Sequence, residues 1–389
     1  MKTRLESEVW ALDNCSGCGL CVAACSKQVL KWDHSEHPVL EQRPKVVGYT
    51  KEILDSCSFC QKFCEEACPR LQQHWAPLEA QTILAASARG PMRSGAPNDV
   101  IRAILTAGRT TGLLDGIIML DIEPWELKPV ARIVSTVMEI VSAMGPQYLW
   151  APVFDVLNEA VYVQGMKNIA VVSTPCAAQA IRKLKASTNT RLKPYQDAVR
   201  LTMSVFCTGI YRPEMVEEIL VKRMNVSRDQ VKRFQVSPDR GSMQAILWDG
   251  TVRNIPRQQA ESYTRVGCGT CDDYLGESAD IAVGTLGAPE GNSTLITRSR
   301  VGDMFVRNAI QMNLLETSHR VDEAALAAAA ADKDRRERAQ SFKDLQILML
   351  DGLGDPLKRG EAIQQFARLY RTPERPGVKR EARSGCTGC

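Results

Sequence analysis

Cys15-Ser16-Gly17-Cys18-Gly19-Leu20-Cys21-Val22-Ala23-Ala24-Cys25 and Cys57-Ser58-Phe59-Cys60-Gln61-Lys62-Phe63-Cys64-Glu65-Glu66-Ala67-Cys68-Pro69 decide the fold of the first part of this 389-residue chain. The spacing is that of a cubane site, in which three thiolates come from one tight loop and the fourth crosses over from the other run. Read so, Cys15, Cys18, Cys21 and Cys68 hold one 4Fe-4S cluster, and Cys57, Cys60, Cys64 and Cys25 hold the other. Zinc and disulfides are the competing readings. Zinc sites use paired CxxC units, whereas here a CxxCxxC run is closed by a further Cys. Two departures from the ideal pattern stand out: Ser26 occupies the place where Pro would follow Cys25, and the second run has one extra residue before Cys64. Neither removes a ligand. This end of the chain is an electron-transfer module.

The composition bounds the remainder. Hydrophobic residues make up 44% and charged residues 24%, with a net charge of +4, which is ordinary for a globular protein and argues against a nucleic-acid partner. A length of 389 residues accommodates about two to three domains. Fourteen cysteines with no apolar leader point to metal ligation in a reduced compartment, and so to a cytoplasmic protein. No stretch approaches the ~20 apolar residues of a membrane span.

Residues 1–80 read as a two-cluster ferredoxin-like domain. Its polar insert, Lys31–Thr50, contains His34 and His37, which read as solvated because eight cysteines already complete two cubanes. From residue 81 the pattern alternates. Asp99–Gly112, Val134–Met144, Val153–Val163 and Ala177–Lys185 carry helical spacing; Asp115–Leu120, Asn168–Ser173, Leu201–Phe206 and Ala279–Gly284 are short apolar strands. Asp249-Gly250 between two β-prone runs marks a hairpin. Residues 306–389 read as a helical C-terminal extension, in which Ala324–Ala331 and the charge run after it form an exposed helix with a solvated face. The fold class is therefore α/β (α+β), a cluster module followed by an α/β domain and a helical tail.

Four more cysteines sit in the α/β part: Cys176, Cys207, Cys268 and Cys271. Cys176 follows a strand and opens a helix, where the dipole and free N–H groups favour thiolate. Cys207 ends a strand, and as a lone thiol it also suits a small core position. Cys268 and Cys271 form a CxxC flanked by glycines. Spacing alone leaves a third cluster and a structural zinc site both open.

The strings VVSTPCAAQAIRKL, FCTGIY, GCGTCDDYLGESADIAVGTLG and STLITRSRVG resemble the beta subunit family of coenzyme F420 hydrogenases and dehydrogenases, over residues 85–305. The resemblance implies a domain, residues 81–305, that binds FAD beside a third 4Fe-4S cluster, with Cys176, Cys207, Cys268 and Cys271 as its ligands. It implies an oxidoreductase exchanging electrons between coenzyme F420, or another two-electron donor, and one-electron acceptors such as a ferredoxin or redox partner subunits of a hetero-oligomer. Two other readings share the wiring: a ferredoxin-dependent reductase of a tetrapyrrole or other organic substrate, and a non-catalytic relay subunit. The chain departs from its relatives at Ser94-Gly95-Ala96-Pro97-Asn98, where they commonly have Gly-Gly.

No GxGxxG opens the α/β region, so an ordinary Rossmann cofactor site is not expected. Candidate flavin contacts are Ser94, Gly95 and Asn98 at a helix start, and the Gly-rich segment with Gly284, Gly287, Ser293, Thr294 and Arg298. Arg298 reads either as a fork for a pyrophosphate or as a surface ion pair. Asp280 reads as a structural acceptor or a ribose contact, and Trp125 with Lys128-Pro129 reads as a loop. Hydride transfer to a flavin requires no acid–base side chain, so no catalytic residue is assigned. Cys386 and Cys389 close the chain in a C-terminal CxxC of open role.

Overall fold

A computed structural model describes residues 3–25, 28–32, 36–40, 62–71, 76–90, 97–123, 126–143, 149–236 and 242–336. In chain order the strands are β1 (Leu30–Lys31), β2 (Val39–Leu40), β3 (Thr82–Ala88), β4 (Gly116–Glu123), β5 (Lys128–Val134), β6 (Ile169–Ser173) and β7 (Val199–Val205). They continue as β8 (Val231–Val236), β9 (Ser242–Leu247), β10 (Val252–Pro256), β11 (Ile281–Gly284), β12 (Ser293–Thr297) and β13 (Leu315–Ser318). Eight of them form one sheet in the order β13-β3-β12-β11-β7-β6-β4-β5.

Its centre, β11-β7-β6-β4, is parallel, and antiparallel strands extend it on both sides. All five residues of β6, Ile-Ala-Val-Val-Ser, are buried, as a continuous apolar run requires when both faces of a parallel strand are covered. Alternation along the strands divides the core. Ile117, Met119, Ala170 and Val172 face the helices Pro97–Thr110 and Arg300–Gln311, which contribute Ile101, Ile104, Phe305 and Val306. Ile118, Leu120, Ile169 and Val171 face the helix Pro175–Ala186 through Ile181 and Leu184. On that second face the N-terminal residues Leu20, Ala23, Phe63 and Ala67 belong to the same apolar cluster. The cysteine-rich module thus serves as one of the layers that cover the sheet.

The hairpin expected at Asp249-Gly250 joins β9 to β10, with Gly250 at φ 86° and the Thr251 N–H donating to Asp249 Oδ1 over 2.8 Å. Three elements differ from expectation. The stretch read as a helical extension from residue 306 begins inside the α/β domain, because the helix Arg300–Gln311 packs its Phe305 and Val306 in the core and β13 pairs with β3 at the sheet edge. Lys128-Pro129 opens β5, an edge strand where a residue without an N–H is tolerated. The helix read over Val134–Met144 is confined to Val137–Ser142, because Val134 ends β5 and Thr136 forms a capping box with Glu139. Among the described residues, no helix is long and apolar enough to cross a membrane.

Candidate metal centre

The N-terminal thiols are arranged by glycines. Gly17 and Gly19, at φ 73° and 87°, turn the Cys15–Cys21 loop back on itself, and the Gly17 N–H lies 3.4 Å from Cys15 Sγ. Cys18, Cys21, Cys25, Cys64 and Cys68 are buried and Cys15 is partly buried. Burial pushes Cys15 up to about 11, against the pull of the Gly17 N–H and of Arg265; Cys68 adds to the rise. Burial also raises Cys18, Cys21 and Cys68, and the charges of Cys15 and Cys68 raise both Cys18 and Cys21. Cys15, Cys18, Cys21 and Cys68 therefore lie within electrostatic reach of one another. Cys25 and Cys64 pack in the same apolar cluster as Cys21 and Cys68, and Cys57 and Cys60 lie outside the described residues. His37 stacks on Trp10 at 5.0 Å and lies within 2.9 Å of the Pro38 carbonyl through Nδ1, so its ring is engaged by the chain.

The second set gathers at the carboxyl ends of β6 and β7, the end of a parallel sheet where ligands bind. Cys176 opens the helix after β6, and its Sγ lies 3.2 Å from Thr174 Oγ1. Cys207 follows β7, and its N–H bonds the Tyr274 carbonyl over 3.0 Å. That bond draws in the turn Cys268–Cys271, closed by the Cys271 N–H on the Cys268 carbonyl. Burial pushes Cys207 up to about 12 and Cys268 up to about 11, and Cys176 and Cys271 add to both. The sequence expects the helix start to favour thiolate at Cys176. Burial instead raises it, with the Cys271 charge acting in the same direction. The four thiols of this second set thus come from three separate segments.

The two sets adjoin. Cys18 feels the charge of Cys176. A Cβ on Gly267 would run into the Cys15 carbonyl, so the loop leading to Cys268 rests directly on the loop of Cys15. Arg70, two residues after Cys68, donates to the carbonyls of Thr270 (3.0 Å) and Gly267 (2.9 Å). Lys183, on the helix that Cys176 opens, donates to the carbonyls of Cys68 (2.7 Å), Glu65 (3.2 Å) and Leu71.

Sequence reading missed two cations. Arg70 carries no motif, although its place beside Cys68 was a signal. Lys333 was read into a solvated charge run, yet only 3% of it is exposed. Its ammonium bonds the carbonyls of Cys207 (2.6 Å) and Asp273 (2.8 Å). The helix spans residues 323–336, and Lys333 lies two turns beyond the buried Leu326, on the same face. Its neighbours Arg335 and Arg336 do face water, paired with Asp332.

The donor chemistry fits cubanes: all-thiol sets, buried or partly buried, with cations beside them. Among the described residues, no three His, Cys, Asp or Glu side chains converge on a point fit for a single ion. A cubane asks for no such point, since each thiolate takes its own iron.

The candidate flavin contacts are largely engaged by the chain itself. Gly284 is backed by the Phe206 ring, which leaves no room for a side chain. Gly287 turns at φ 83° against the Asp322 carbonyl. Ser293 and Thr294 are buried in β12, and the Thr294 hydroxyl donates to the Leu286 carbonyl over 2.6 Å. Asp280 accepts from the Thr202 N–H (2.8 Å) and the Ser299 hydroxyl (2.5 Å), a structural role. Arg298 differs. It is 6% exposed, its Nη1 has no hydrogen-bond partner, and burial lowers its pKa against the charges of Asp273 and Glu277. Asn98 lies in the helix Pro97–Thr110; Ser94, Gly95, Trp125, Cys386 and Cys389 lie outside the described residues.

Comparison with known proteins gives this arrangement a context. The family model for the C terminus of the coenzyme F420 hydrogenase/dehydrogenase beta subunit matches residues 166–323, and a 4Fe-4S dicluster domain matches residues 14–71. An uncharacterized protein of Methanocaldococcus jannaschii is 28% identical over 354 residues, 85% of this chain and 96% of its own length. The coenzyme F420 hydrogenase subunit beta of Methanococcus voltae is 28% identical over 213 residues, 54% of this chain and 74% of its own length. A chain in the structure of the F420-reducing [NiFe] hydrogenase complex from Methanosarcina barkeri superposes with a TM-score of 0.62 at 23% identity, covering 68% of this chain and 92% of that one. That likeness establishes the fold.

Proposed function

This chain belongs to the coenzyme F420 hydrogenase/dehydrogenase beta subunit family, with a 4Fe-4S dicluster domain in front; from that premise we propose that it is an oxidoreductase passing electrons between coenzyme F420 and one-electron partners. Three 4Fe-4S clusters and FAD are the cofactors of this reading. When bound, the flavin supplies the exchange between two-electron and one-electron chemistry, and the clusters supply the one-electron steps.

The chain's own residues divide the work. Cys176, Cys207, Cys268 and Cys271 would hold the cluster of the α/β domain. Cys15, Cys18, Cys21 and Cys68 would hold the adjacent one, and Cys25, Cys57, Cys60 and Cys64 the outer one. Arg298, with an unused N–H donor in a buried setting, is the residue of the Gly-rich segment best placed to bind an anionic group of the flavin. The apolar cluster shared by Leu20, Phe63 and Ile181 excludes water between module and sheet. Redox partner subunits would complete a hetero-oligomer, by analogy with relatives that are named as hydrogenase subunits.

The observation that carries the reading is the abutment of the two thiol sets, with Cys18 in electrostatic reach of Cys176 and Gly267 against Cys15. The test is a donor panel on anaerobically purified protein. Reduced F420 is expected to bleach bound flavin in a single turnover, and NAD(P)H is not. Bleaching by NAD(P)H alone, or absence of flavin, would refute it.

A further inference from the structure

Two cations, Lys333 buried and Arg70 partly buried, reach the α/β thiol set from separate parts of the chain. Arg70 arrives from the N-terminal module and Lys333 from the helix 323–336. Their hydrogen bonds among the described residues go to backbone carbonyls alone: Gly267 and Thr270 for Arg70, Cys207 and Asp273 for Lys333. The Arg70 Nε is buried without a partner. A cation removed from water and held by dipoles alone is costly unless negative charge stands nearby. The geometry puts both cations at the thiols: Lys333 bonds the carbonyl of Cys207 itself, and Arg70 bonds those of Gly267 and Thr270, each one residue before a cysteine of the pair. Cys271, Cys207, Asp273 and Cys268 act on Lys333, and Cys271, Cys176, Asp272 and Cys268 act on Arg70. Arg70 also acts on Cys15 and Cys68 of the neighbouring set, and is thereby shared between the two.

We propose that Arg70 and Lys333 are the counter-cations of the α/β thiol set, positioning residues that favour the electron-rich state of the cluster held there. Arg70, placed between this set and Cys68, makes the Cys15/Cys18/Cys21/Cys68 site the next stop of the electron. The step so served moves one electron and no proton: one 4Fe-4S site is oxidised as the other is reduced. The inference rests on the third cluster of the proposed function and deepens it, by assigning an order to the relay and a charge to its junction.

The test is an anaerobic redox titration of the cluster-loaded protein, followed by electron paramagnetic resonance with iron counted in every sample. Lys333→Gln is expected to move one midpoint to a more negative potential. Poised at the wild-type midpoint, the reduced-to-oxidised ratio of that cluster should drop about tenfold. Arg70→Gln is expected to move two midpoints in the same direction. Lys333→Arg and Arg70→Lys keep the charge and should restore the midpoints, whereas a role in packing alone would be disturbed by them as much as by glutamine. Three intact clusters whose midpoints do not move in either glutamine variant overturn the inference. So does Arg70→Gln moving only one. A wild-type protein with only two clusters instead overturns the proposed function on which the inference rests.

Discussion

The indole of Trp150 donates a 2.9 Å hydrogen bond to the carbonyl of Gly17, tying the loop of Cys15, Cys18 and Cys21 to the α/β part of the chain. The Arg265 guanidinium lies over the same indole, 4.0 Å from the ring centroid, and forms an ion pair with Glu36 at 3.3 Å. Gly17 itself turns at φ 73° against these two side chains. The first cluster loop is therefore shaped by residues more than a hundred positions away.

Gly17→Ala tests that packing. The new Cβ would meet Arg265 Cζ at 2.8 Å in a backbone conformation that alanine rarely adopts. A loss of about 1–3 kcal/mol is expected. Thermal unfolding of the loaded protein should show a lower midpoint, and iron should be lost from the dicluster module first.

Lys183→Met keeps the apolar stem but removes the donor to the carbonyls of Glu65, Cys68 and Leu71. The Glu65 and Cys68 carbonyls keep the backbone N–H groups of Cys68 and Leu71, so the loss of the three charge-assisted bonds should cost about 1–3 kcal/mol. Denaturant unfolding measures it. Restoration by Lys183→Arg would assign the effect to the hydrogen bonds, and an unchanged midpoint in the methionine variant would show that they contribute nothing.

Deleting residues 1–80 would uncover Phe154, Leu157, Ile181 and Leu184, which share their core with Leu20, Phe63 and Ala67. The remaining chain is expected to lose cooperative unfolding and to aggregate. A monomeric fragment with a sharp thermal transition would contradict that.

The raised thiol pKa values give a pH dependence with a definite sign. Cys15 and Cys268 stand at about 11 and Cys207 at about 12 in the folded, metal-free chain, against an ordinary 9.0. Above pH 9 the unfolded chain releases these protons and the folded chain retains them, so stability present below that pH falls as pH rises toward 11 to 12. Metal-free protein should therefore lose thermal stability between pH 9 and 11. Cluster-loaded protein, whose thiolates are already ligated, should lose less over the same range.

The sequence displayed the parallel strands plainly, since β6 is an apolar run that ends at a helix start and β7 carries a buried centre at Leu201–Ser204. It displayed all the thiols, because the chemistry of Cys spacing is local. It concealed what depends on long-range contact. Arg70 reaches residues about 200 positions away, and Lys333 is an ordinary helix lysine until the helix docks beside Cys207. It concealed β5 as well, because a Pro near the start of a strand reads as a loop until the strand proves to lie at an edge. Gly284 shows the converse: it resembled a cofactor loop in sequence, while the Phe206 ring against it accounts for the glycine.

The central claim is that the thiols gathered behind β6 and β7 hold a third cluster beside the two of the N-terminal module. Iron per chain, measured on anaerobically purified wild type and on Cys271→Ser, tests it most directly. Serine offers a harder and poorer ligand than thiolate. The account predicts about twelve irons in the wild type, falling to about eight in the variant, without stoichiometric zinc in either. About eight irons in both proteins, or one zinc in place of the missing four irons, would contradict it.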